Sequence, residues 1–218
     1  MRRIVLDIET TGFYHDKHDR IVEIACVELD GLKTTGNEYQ TYLSPGVRVD
    51  PGAFKVHGLS DEFLENQPEF GEIVDDFLAF IGDDELVAHN GNAFDMKFIQ
   101  KELALIERPA IRNKVFDTLV YARQTRPGKM NGLDALVKAF KLKTDRVDGV
   151  HGALQDSRTL AKVYCYMLQT RGSGSLELEQ PKQVSEVVSF GPLIVRPPTP
   201  SEAEAHRIML TTLKLQAY

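Results

Sequence analysis

The sequence predicts an α/β protein, in which helices flank the faces of a mixed β-sheet. Three observations support this fold class: three strand patterns lead the chain, helical periodicity follows, and two short strand patterns lie between the later helices. Short connections between the leading strands favour antiparallel neighbours, whereas strands separated by helices favour parallel ones. We therefore expect three leading antiparallel strands that are extended by parallel additions.

The strand patterns are short apolar runs bounded by turn residues, as expected for strands. They fall at residues 3–8, 20–29, 37–43, 85–89 and 114–118. The first run is apolar throughout, which is typical of a strand buried on both faces.

Helical patterns begin after Asp50-Pro51-Gly52. Apolar side chains then recur three or four positions apart from Phe70 to Ile81, and Gly82 follows them, which predicts an amphipathic helix over residues 70–81. Further helices are predicted over residues 93–106, around residues 133–140 and over residues 152–168.

The chain of 218 residues is long enough for one full domain and an appendage. A Gly- and Ser-rich stretch at residues 171–175 is typical of a flexible linker. We predict a domain at residues 1–170, a linker at 171–183 and a tail at 184–218, where Ser201 and Glu204 have the spacing of a capping box. A tail of this length is too short to be expected to fold alone. We therefore expect it to pack back on the domain or to dock on another protein.

The bulk composition is that of an ordinary globular protein, with 42% hydrophobic and 27% charged residues. No apolar run approaches the roughly 20 residues that a membrane span needs. The chain starts directly with a strand pattern, so we expect no signal peptide. Cys26 and Cys165 lie in apolar stretches, so we expect two reduced core thiols and a cytoplasmic protein. A net charge of −6 argues against a protein that coats duplex DNA.

Four acids and one histidine stand in segments that otherwise resemble buried core: Asp7, Glu9, Asp95, His151 and Asp156. An ionised carboxylate in a core is strongly unfavourable unless a cation or a donor compensates it. Several such acids in one place therefore indicate a metal site. Divalent metals with oxygen ligands serve phosphoryl chemistry above all.

Asp7 and Glu9 are two positions apart on the first strand, so both side chains leave the same face near its C-terminal end. The alternative is a solvated strand end with two incidental acids. Asp95 falls on the apolar side of its helix, although an acid in the first turn is also favoured by the helix dipole.

Asp156 interrupts the apolar stripe of the last helix, so it needs a partner: either a metal or an arginine in a buried ion pair. His151 precedes it by five residues, about 140° around an ideal helix. We therefore expect His151 on the loop before the helix, as a candidate general base.

Together these residues resemble the DEDDh family of 3′–5′ exonucleases, which have an RNase H-like fold. The family's first motif, Asp-x-Glu-Thr-Thr-Gly, stands at residues 7–12, its second aspartate is Asp95, and its His-x4-Asp motif spans His151 to Asp156. The match covers residues 1 to about 168. Within the family the chain resembles proofreading subunits of bacterial replicative DNA polymerases, through residues 50–64, 127–136, 151–154 and 201–206.

The resemblance implies two-metal-ion hydrolysis with Mg²⁺ or Mn²⁺. Asp7, Glu9 and Asp156 would hold one ion, and Asp7 also a second ion with Asp95 acting largely through water. His151 would accept a proton from the attacking water, and nucleoside 5′-monophosphates would leave from a frayed 3′ end.

The resemblance also implies substrate and protein partners. Thr10, Thr11, His57 and Phe94 would contact the terminal nucleotides of a single-stranded or frayed DNA 3′ end. The tail would bind the polymerase catalytic (alpha) subunit, and such subunits also meet the sliding clamp and a small theta-type subunit. The expected location is the bacterial cytoplasm.

The chain departs from the family pattern in two places. The segment from His89 to Asp95 is one residue longer than usual, which leaves the placement of His89 and Asn90 open. The clamp-binding motif that follows such domains has only poor matches here, at residues 169–171 and 175–178.

Three other functions compete with DNA proofreading. One is an RNA 3′-end-trimming exoribonuclease of the same family, such as ribonuclease T or oligoribonuclease. Another is a non-catalytic scaffold subunit of a polymerase. The third is a phosphatase with Asp7 as its nucleophile, although such enzymes typically have Asp-x-Asp where this chain has Glu9.

Overall fold

A five-stranded mixed sheet forms the centre of the molecule in the computed structural model, which describes residues 1–144 and 150–171. The order across the sheet is β3-β2-β1-β4-β5. β1 pairs antiparallel with β2, β2 pairs antiparallel with β3, and β4 and β5 add in parallel beyond β1. The strands are β1 (Arg2–Thr10), β2 (Ile21–Asp30), β3 (Lys33–Tyr42), β4 (Glu85–Ala88) and β5 (Val115–Asp117). The predicted α/β class and strand directions are confirmed.

Seven helices lie in the described part of the chain. They are α1 (Pro51–His57), α2 (Asp61–Leu64), α3 (Phe70–Ile81), α4 (Asp95–Leu105), α5 (Thr118–Thr125), α6 (Leu133–Phe140) and α7 (Ala153–Arg171). α3 has the predicted bounds, and Gly82 is its C-cap. α6 also has the predicted bounds.

The side chains of β1 alternate between two apolar layers, because successive residues of a strand point to opposite faces. Ile4, Leu6 and Ile8 are buried under α3 and α4, together with Phe77 and Phe98. The odd-numbered residues face the other side of the sheet, where α7 covers it.

The second layer joins the sheet to α7. Val5, Val27 and Val87 from three strands pack against Leu160 and Tyr164 of this helix. A smaller cluster extends the layer outward, and its buried members come from α5, α6 and α7: Ala122, Leu136, Val163 and Met167. α7 is therefore fixed between the sheet and two other helices.

Several predicted element limits were wrong. β3 begins at Lys33 and not at residue 37, because this exposed, polar edge strand has no apolar face that could mark its start. α4 begins at Asp95 and not at residue 93, because residues 90–94 form turns first.

Three short helices were not separately predicted. α1 is defined by its ends: the Asp50 side chain caps it, Pro51 opens it, and Gly58 closes it in the left-handed conformation at φ 71°. α2 has a single turn. α5 starts directly at the end of β5.

Both cysteines are free thiols, as expected, with Cys26 buried and Cys165 half-buried. No helix in the described residues is long and apolar enough to cross a membrane. The predicted tail, its capping box, and the linker beyond Arg171 lie outside the described residues.

Candidate active site

Asp7 and Glu9 lie on the α7 side of β1, near the C-terminal end of the strand. The alternation of β1 sends Ile8 into the apolar layer between them and leaves both acids half-buried on the opposite face. The β1–β2 ladder shifts register between Glu9 and Thr10, where the chain leaves the sheet. The prediction that both acids share one face is confirmed.

Asp95 is the first residue of α4, and it is only 3% exposed. β4 runs parallel to β1, so the loop after β4 starts at the same edge of the sheet where Asp7 and Glu9 lie. The Asp95 carboxylate accepts hydrogen bonds from its own backbone N–H and from that of Ile8. Burial nevertheless raises the pKa of Asp95 to about 7, and the negative charge of Asp117 adds to this.

Asp7 is the acid that the others surround. Its pKa lies well above the ordinary value, chiefly because burial removes the charged form from water. The charges of four other acids raise it further, in the order Asp95, Glu9, Asp156 and Glu23. Such a cluster cannot stay fully ionised without a cation, so its electrostatics fit a divalent-metal site.

Asp156 and His151 come from α7 and from the loop before it. Asp156 is 4% exposed and lies in the first turn of α7, where its backbone N–H bonds to the Gly152 carbonyl at 2.9 Å. His151 precedes the helix, as predicted, and its backbone N–H donates to the Val56 carbonyl at 3.0 Å. The His151 Nδ1 and Asp156 Oδ2 atoms are 3.2 Å apart.

Potential ligand atoms of Glu9, His151 and Asp156 all lie within 4.8 Å of one another. With Asp7 and Asp95 beside them, the donor set contains four carboxylates and one imidazole. Hard cations such as Mg²⁺ and Mn²⁺ prefer carboxylate oxygens, whereas Zn²⁺ sites usually include several Cys or His ligands. The roles of the individual residues as ligands stay a prediction.

The structure brings together three of the four predicted substrate contacts. Thr10, His57 and Phe94 line one pocket of about 130 Å³ beside Glu9. Burial lowers the pKa of His57, so its ring is neutral near pH 7, and its Nδ1 accepts the Leu59 backbone N–H at 3.0 Å.

Thr11 does not line this pocket. It is fully buried, and its hydroxyl contacts Asp19 at 3.4 Å and accepts the Arg20 backbone N–H at 3.0 Å. The Thr11 carbonyl accepts the backbone N–H of Asp50 at 2.8 Å. Thr11 thereby joins the turn after β1 to the segment that leads into α1.

The longer segment after His89 is accommodated in a tight loop. Asn90 adopts a left-handed conformation at φ 68°. Asp117 accepts the backbone N–H groups of Asn90 and Asn92 at 3.1 and 3.4 Å. His89 contacts the Thr118 hydroxyl at 2.9 Å. The extra residue is thus absorbed before Asp95, which still starts its helix.

Sequence reasoning missed three residues near the site. Phe13, which is 67% exposed, lines the same pocket as Phe94, and their ring centroids are 6.5 Å apart. Nothing in the sequence distinguishes it from other aromatic residues. Glu23, by contrast, interrupts the apolar run of residues 21–27, the signal that identified Asp7. Asp117 stands at a strand-to-helix junction, and an aspartate directly before a helix is a recognisable N-cap signal in a sequence.

Comparison with known proteins identifies relatives across most of the chain. Residues 4–164 match the RNase_T family of exonucleases. The DNA polymerase III subunit epsilon of Rickettsia typhi is 36% identical over 228 aligned residues, which cover 100% of this chain and 99% of that protein. The corresponding subunit of Escherichia coli is 42% identical over 195 residues, covering 85% of this chain and 79% of the relative.

Solved structures with the same architecture include two nucleases with bound DNA. Exonuclease X in complex with 5′ overhanging duplex DNA superimposes with a TM-score of 0.63 at 25% identity, over 78% of this chain and 93% of that one. E. coli exonuclease I in complex with a dT13 oligonucleotide gives 0.69 at 17% identity, over 79% and 42% of the two chains. The second likeness is one of fold alone.

Proposed function

The chain belongs to the RNase_T exonuclease family and is a homologue of the DNA polymerase III epsilon subunits, and from this premise we propose that it is a proofreading 3′–5′ exonuclease. It removes mispaired 3′-terminal nucleotides from DNA as 5′-monophosphates. The observation that supports this most strongly is the convergence of four acids and one histidine on one end of the sheet, from β1, α4, α7 and the loop before α7. Family membership implies that the hydrolysis depends on a divalent metal.

Two ions, Mg²⁺ or Mn²⁺, fit the donor set best. Asp7, Glu9 and Asp156 would hold one of them, and Asp7 and Asp95 the other. When bound, such ions activate a water nucleophile and neutralise the charge that develops on the leaving oxygen. The carboxylates would position the ions and compensate their charge, since the other three site acids lie close enough to raise the pKa of Asp7 through their charges.

His151 accepts the proton that the attacking water loses. Its ring lies 3.2 Å from Asp156, beside the ligand cluster, and about a third of the side chain (34%) is exposed. A base in this position is near the reaction and can also release its proton to solvent.

The pocket beside Glu9 would receive the terminal nucleotide. Phe94 and Phe13 offer aromatic surface for a base, and Thr10 and His57 offer polar groups. Stacking of this kind holds any base, so the sequence of the end is not read. A mispaired end melts at a lower free-energy cost than a paired one, which gives the preference for mispairs.

The same premise extends to partners. The relatives are named as subunits of DNA polymerase III, and the R. typhi subunit matches over the full length, tail included. We infer that residues 184–218 bind the catalytic alpha subunit in the bacterial cytoplasm. Contacts with the sliding clamp and a theta-type subunit belong to the same proposal.

The decisive experiment compares labelled DNA primers on a template, with paired or mispaired 3′ ends, and a single-stranded RNA of the primer sequence. We expect stepwise shortening from the 3′ end, faster on the mispaired primer and abolished by a chelator. An Asp7→Ala preparation controls for contaminating nucleases. Faster cleavage of RNA than of DNA would favour the RNA-trimming function instead. A lack of any metal-dependent hydrolysis would favour the scaffold.

A further inference from the structure

Glu23 is a buried acid beside the site, but it is not among the five residues of the cluster. It lies on β2 directly opposite Glu9 in the β1–β2 ladder, and it is 1% exposed. Val27, four positions further along β2, packs against α7, so the even spacing puts Glu23 on that face too. Glu23 therefore shares a face with Asp7 and Glu9.

The Glu23 carboxylate holds the first residues of α7. Its Oε2 accepts the Ala153 backbone N–H at 3.0 Å, and the Leu154 backbone N–H also bonds to this carboxylate. Its Oε1 accepts the Gln40 side-chain amide from β3 at 2.8 Å. The first N–H groups of a helix lack partners within the helix, and its N-terminus favours a negative charge. Glu23 supplies both the hydrogen-bond acceptor and the negative charge, and it does so from a neighbouring strand.

A second contact fixes the same turn to the same strand. The Ser157 hydroxyl donates to the Ala25 carbonyl at 3.1 Å, two positions along β2 from Glu23. The two ties lie on either side of Asp156. His151, on the other side of Ala153, is only two residues from the Glu23 contact.

The acid is also placed at an electrostatic cost. Burial raises the pKa of Glu23, and its charge adds to the repulsion at Asp7 and Asp156. A fifth carboxylate beside four others is unfavourable for the fold alone. Its contacts with α7 give it a use, because this helix and the loop before it supply two of the five site groups.

We propose that Glu23 is a positioning residue, whose carboxylate fixes the first turn of α7 so that Asp156 and His151 meet Asp7 and Glu9. The proposal rests on the nuclease function proposed above. It differs from a cap that merely stabilises a helix, because here the cap determines the geometry of the site.

The test substitutions are Glu23→Gln and, as a matched control on the same strand, Glu28→Gln. Both Glu23 oxygens receive N–H donors, so a glutamine amide faces a donor in either orientation and loses at least one bond as well as the charge. Glu28→Gln breaks the ion pair with Arg2 at the far end of β2, outside the site.

Two readouts are measured on the full-length chain. Without metal, hydrogen exchange of the peptide covering residues 150–158 should be about 10-fold faster or more in Glu23→Gln, with the α3 peptide unchanged. With metal, kcat for the p-nitrophenyl ester of thymidine 5′-monophosphate should fall about 10-fold or more while KM changes little. Glu28→Gln should behave as wild type in both readouts.

Unchanged exchange, or faster exchange with a wild-type kcat, would overturn the positioning role. If wild-type protein shows no nuclease activity, the proposed function fails, while the exchange readout still reports whether Glu23 holds α7.

If Glu23→Gln does not fold, Gln40→Ala replaces it, since Gln40 is an exposed residue on the edge strand. Loss of the hydrogen bond from the Gln40 side chain to the Glu23 carboxylate should lower kcat several-fold, and an unchanged kcat would overturn the proposal.

Discussion

At the scale of single residues, the four site acids occupy positions where a carboxylate is unfavourable without a cation. Replacement of Asp7, Glu9, Asp95 or Asp156 by alanine should therefore remove nuclease activity and leave the fold intact. The loss should exceed the roughly 10–100-fold that the loss of an outer-shell partner costs. Nuclease assays would measure the loss of activity, and circular dichroism would show whether the fold is intact. The control is Asp75→Asn, which replaces an exposed surface acid. Near wild-type activity in any of the four variants would remove that residue from the ligand set.

Asp95 also makes stability depend on pH in an unusual direction. Burial raises its folded-state pKa from 3.8 to about 7. Between these values the folded chain binds a proton that the unfolded chain has released, so stability falls as pH rises through this window. One such proton contributes a slope of up to about 1.4 kcal/mol per pH unit. Urea unfolding at pH 5.5, 6.5 and 7.5 with a chelator should show this decline.

The variant Asp95→Asn distinguishes the contribution of Asp95 to the pH dependence of stability from that of all other titrating groups. Because asparagine does not titrate, the decline between pH 5.5 and 7.5 should become shallower in the variant. Added Mn²⁺ should restore stability at pH 7.5 in the wild type. An equally steep decline in both proteins would show that Asp95 is not the group responsible.

His151 should affect the rate more than metal binding. His151→Ala is expected to lower kcat by roughly 10²–10⁴, the range for loss of a general base. Mn²⁺ binding, followed by titration calorimetry, should change little, since the carboxylates remain. A normal rate in this variant across pH 6–9 would exclude His151 as the base.

At the scale of elements, Asp117 connects β5, α5 and the loop that leads to Asp95. Its carboxylate accepts four backbone N–H groups, which belong to Asn90, Asn92, Leu119 and Val120. One side chain thus caps α5 and also closes the loop of the second motif.

The substitution Asp117→Ala should therefore reduce both stability and activity. Loss of these bonds leaves several N–H groups unpaired and is expected to cost about 1–3 kcal/mol of unfolding free energy. The control is Ser60→Ala, which removes the cap of α2 away from the site and costs about 1 kcal/mol. Denaturation and nuclease assays should show destabilisation in both variants but a loss of activity only in Asp117→Ala.

The elements that sequence reasoning predicted correctly are those with long-range apolar periodicity. β1 and α3 repeat their apolar side chains over many residues, and Asp156 is conspicuous because it interrupts such a pattern. The short helices α1 and α5 were missed because they are defined by caps and not by periodicity. The contacts of Asp117 and Glu23 join residues 27 and 130 positions apart, which no local pattern specifies.

At the scale of the whole molecule, the catalytic domain is acidic even though its proposed substrate is a polyanion, so the net charges of the two repel each other. Residues 171–218 contain 5 acids and 5 bases, which leaves 27 acids and 21 bases in residues 1–170.

 The net charge of −6 therefore belongs entirely to the domain. We therefore expect affinity for DNA to depend on bound cations or on a partner that holds the substrate.

The tail should be needed for association and not for chemistry. A chain that ends at residue 171 keeps both apolar layers of the sheet, so it should hydrolyse frayed DNA at close to the full-length rate. It should no longer co-purify with the polymerase catalytic subunit, whereas full-length Asp7→Ala should still do so. Retention of the truncated chain by that subunit would place the polymerase contact on the domain instead.

The alternation along β1 has a consequence for how this family can diverge. Ile4, Leu6 and Ile8 fill one apolar layer, and Asp7 and Glu9 face the opposite side. An insertion or deletion of a single residue inside the strand would exchange the two sets, which would bury the acids in hydrocarbon and turn aliphatic side chains toward the cleft. Descendants of this gene can therefore lengthen the turns that flank β1, but within the strand a frame change of one residue would destroy catalysis and folding together.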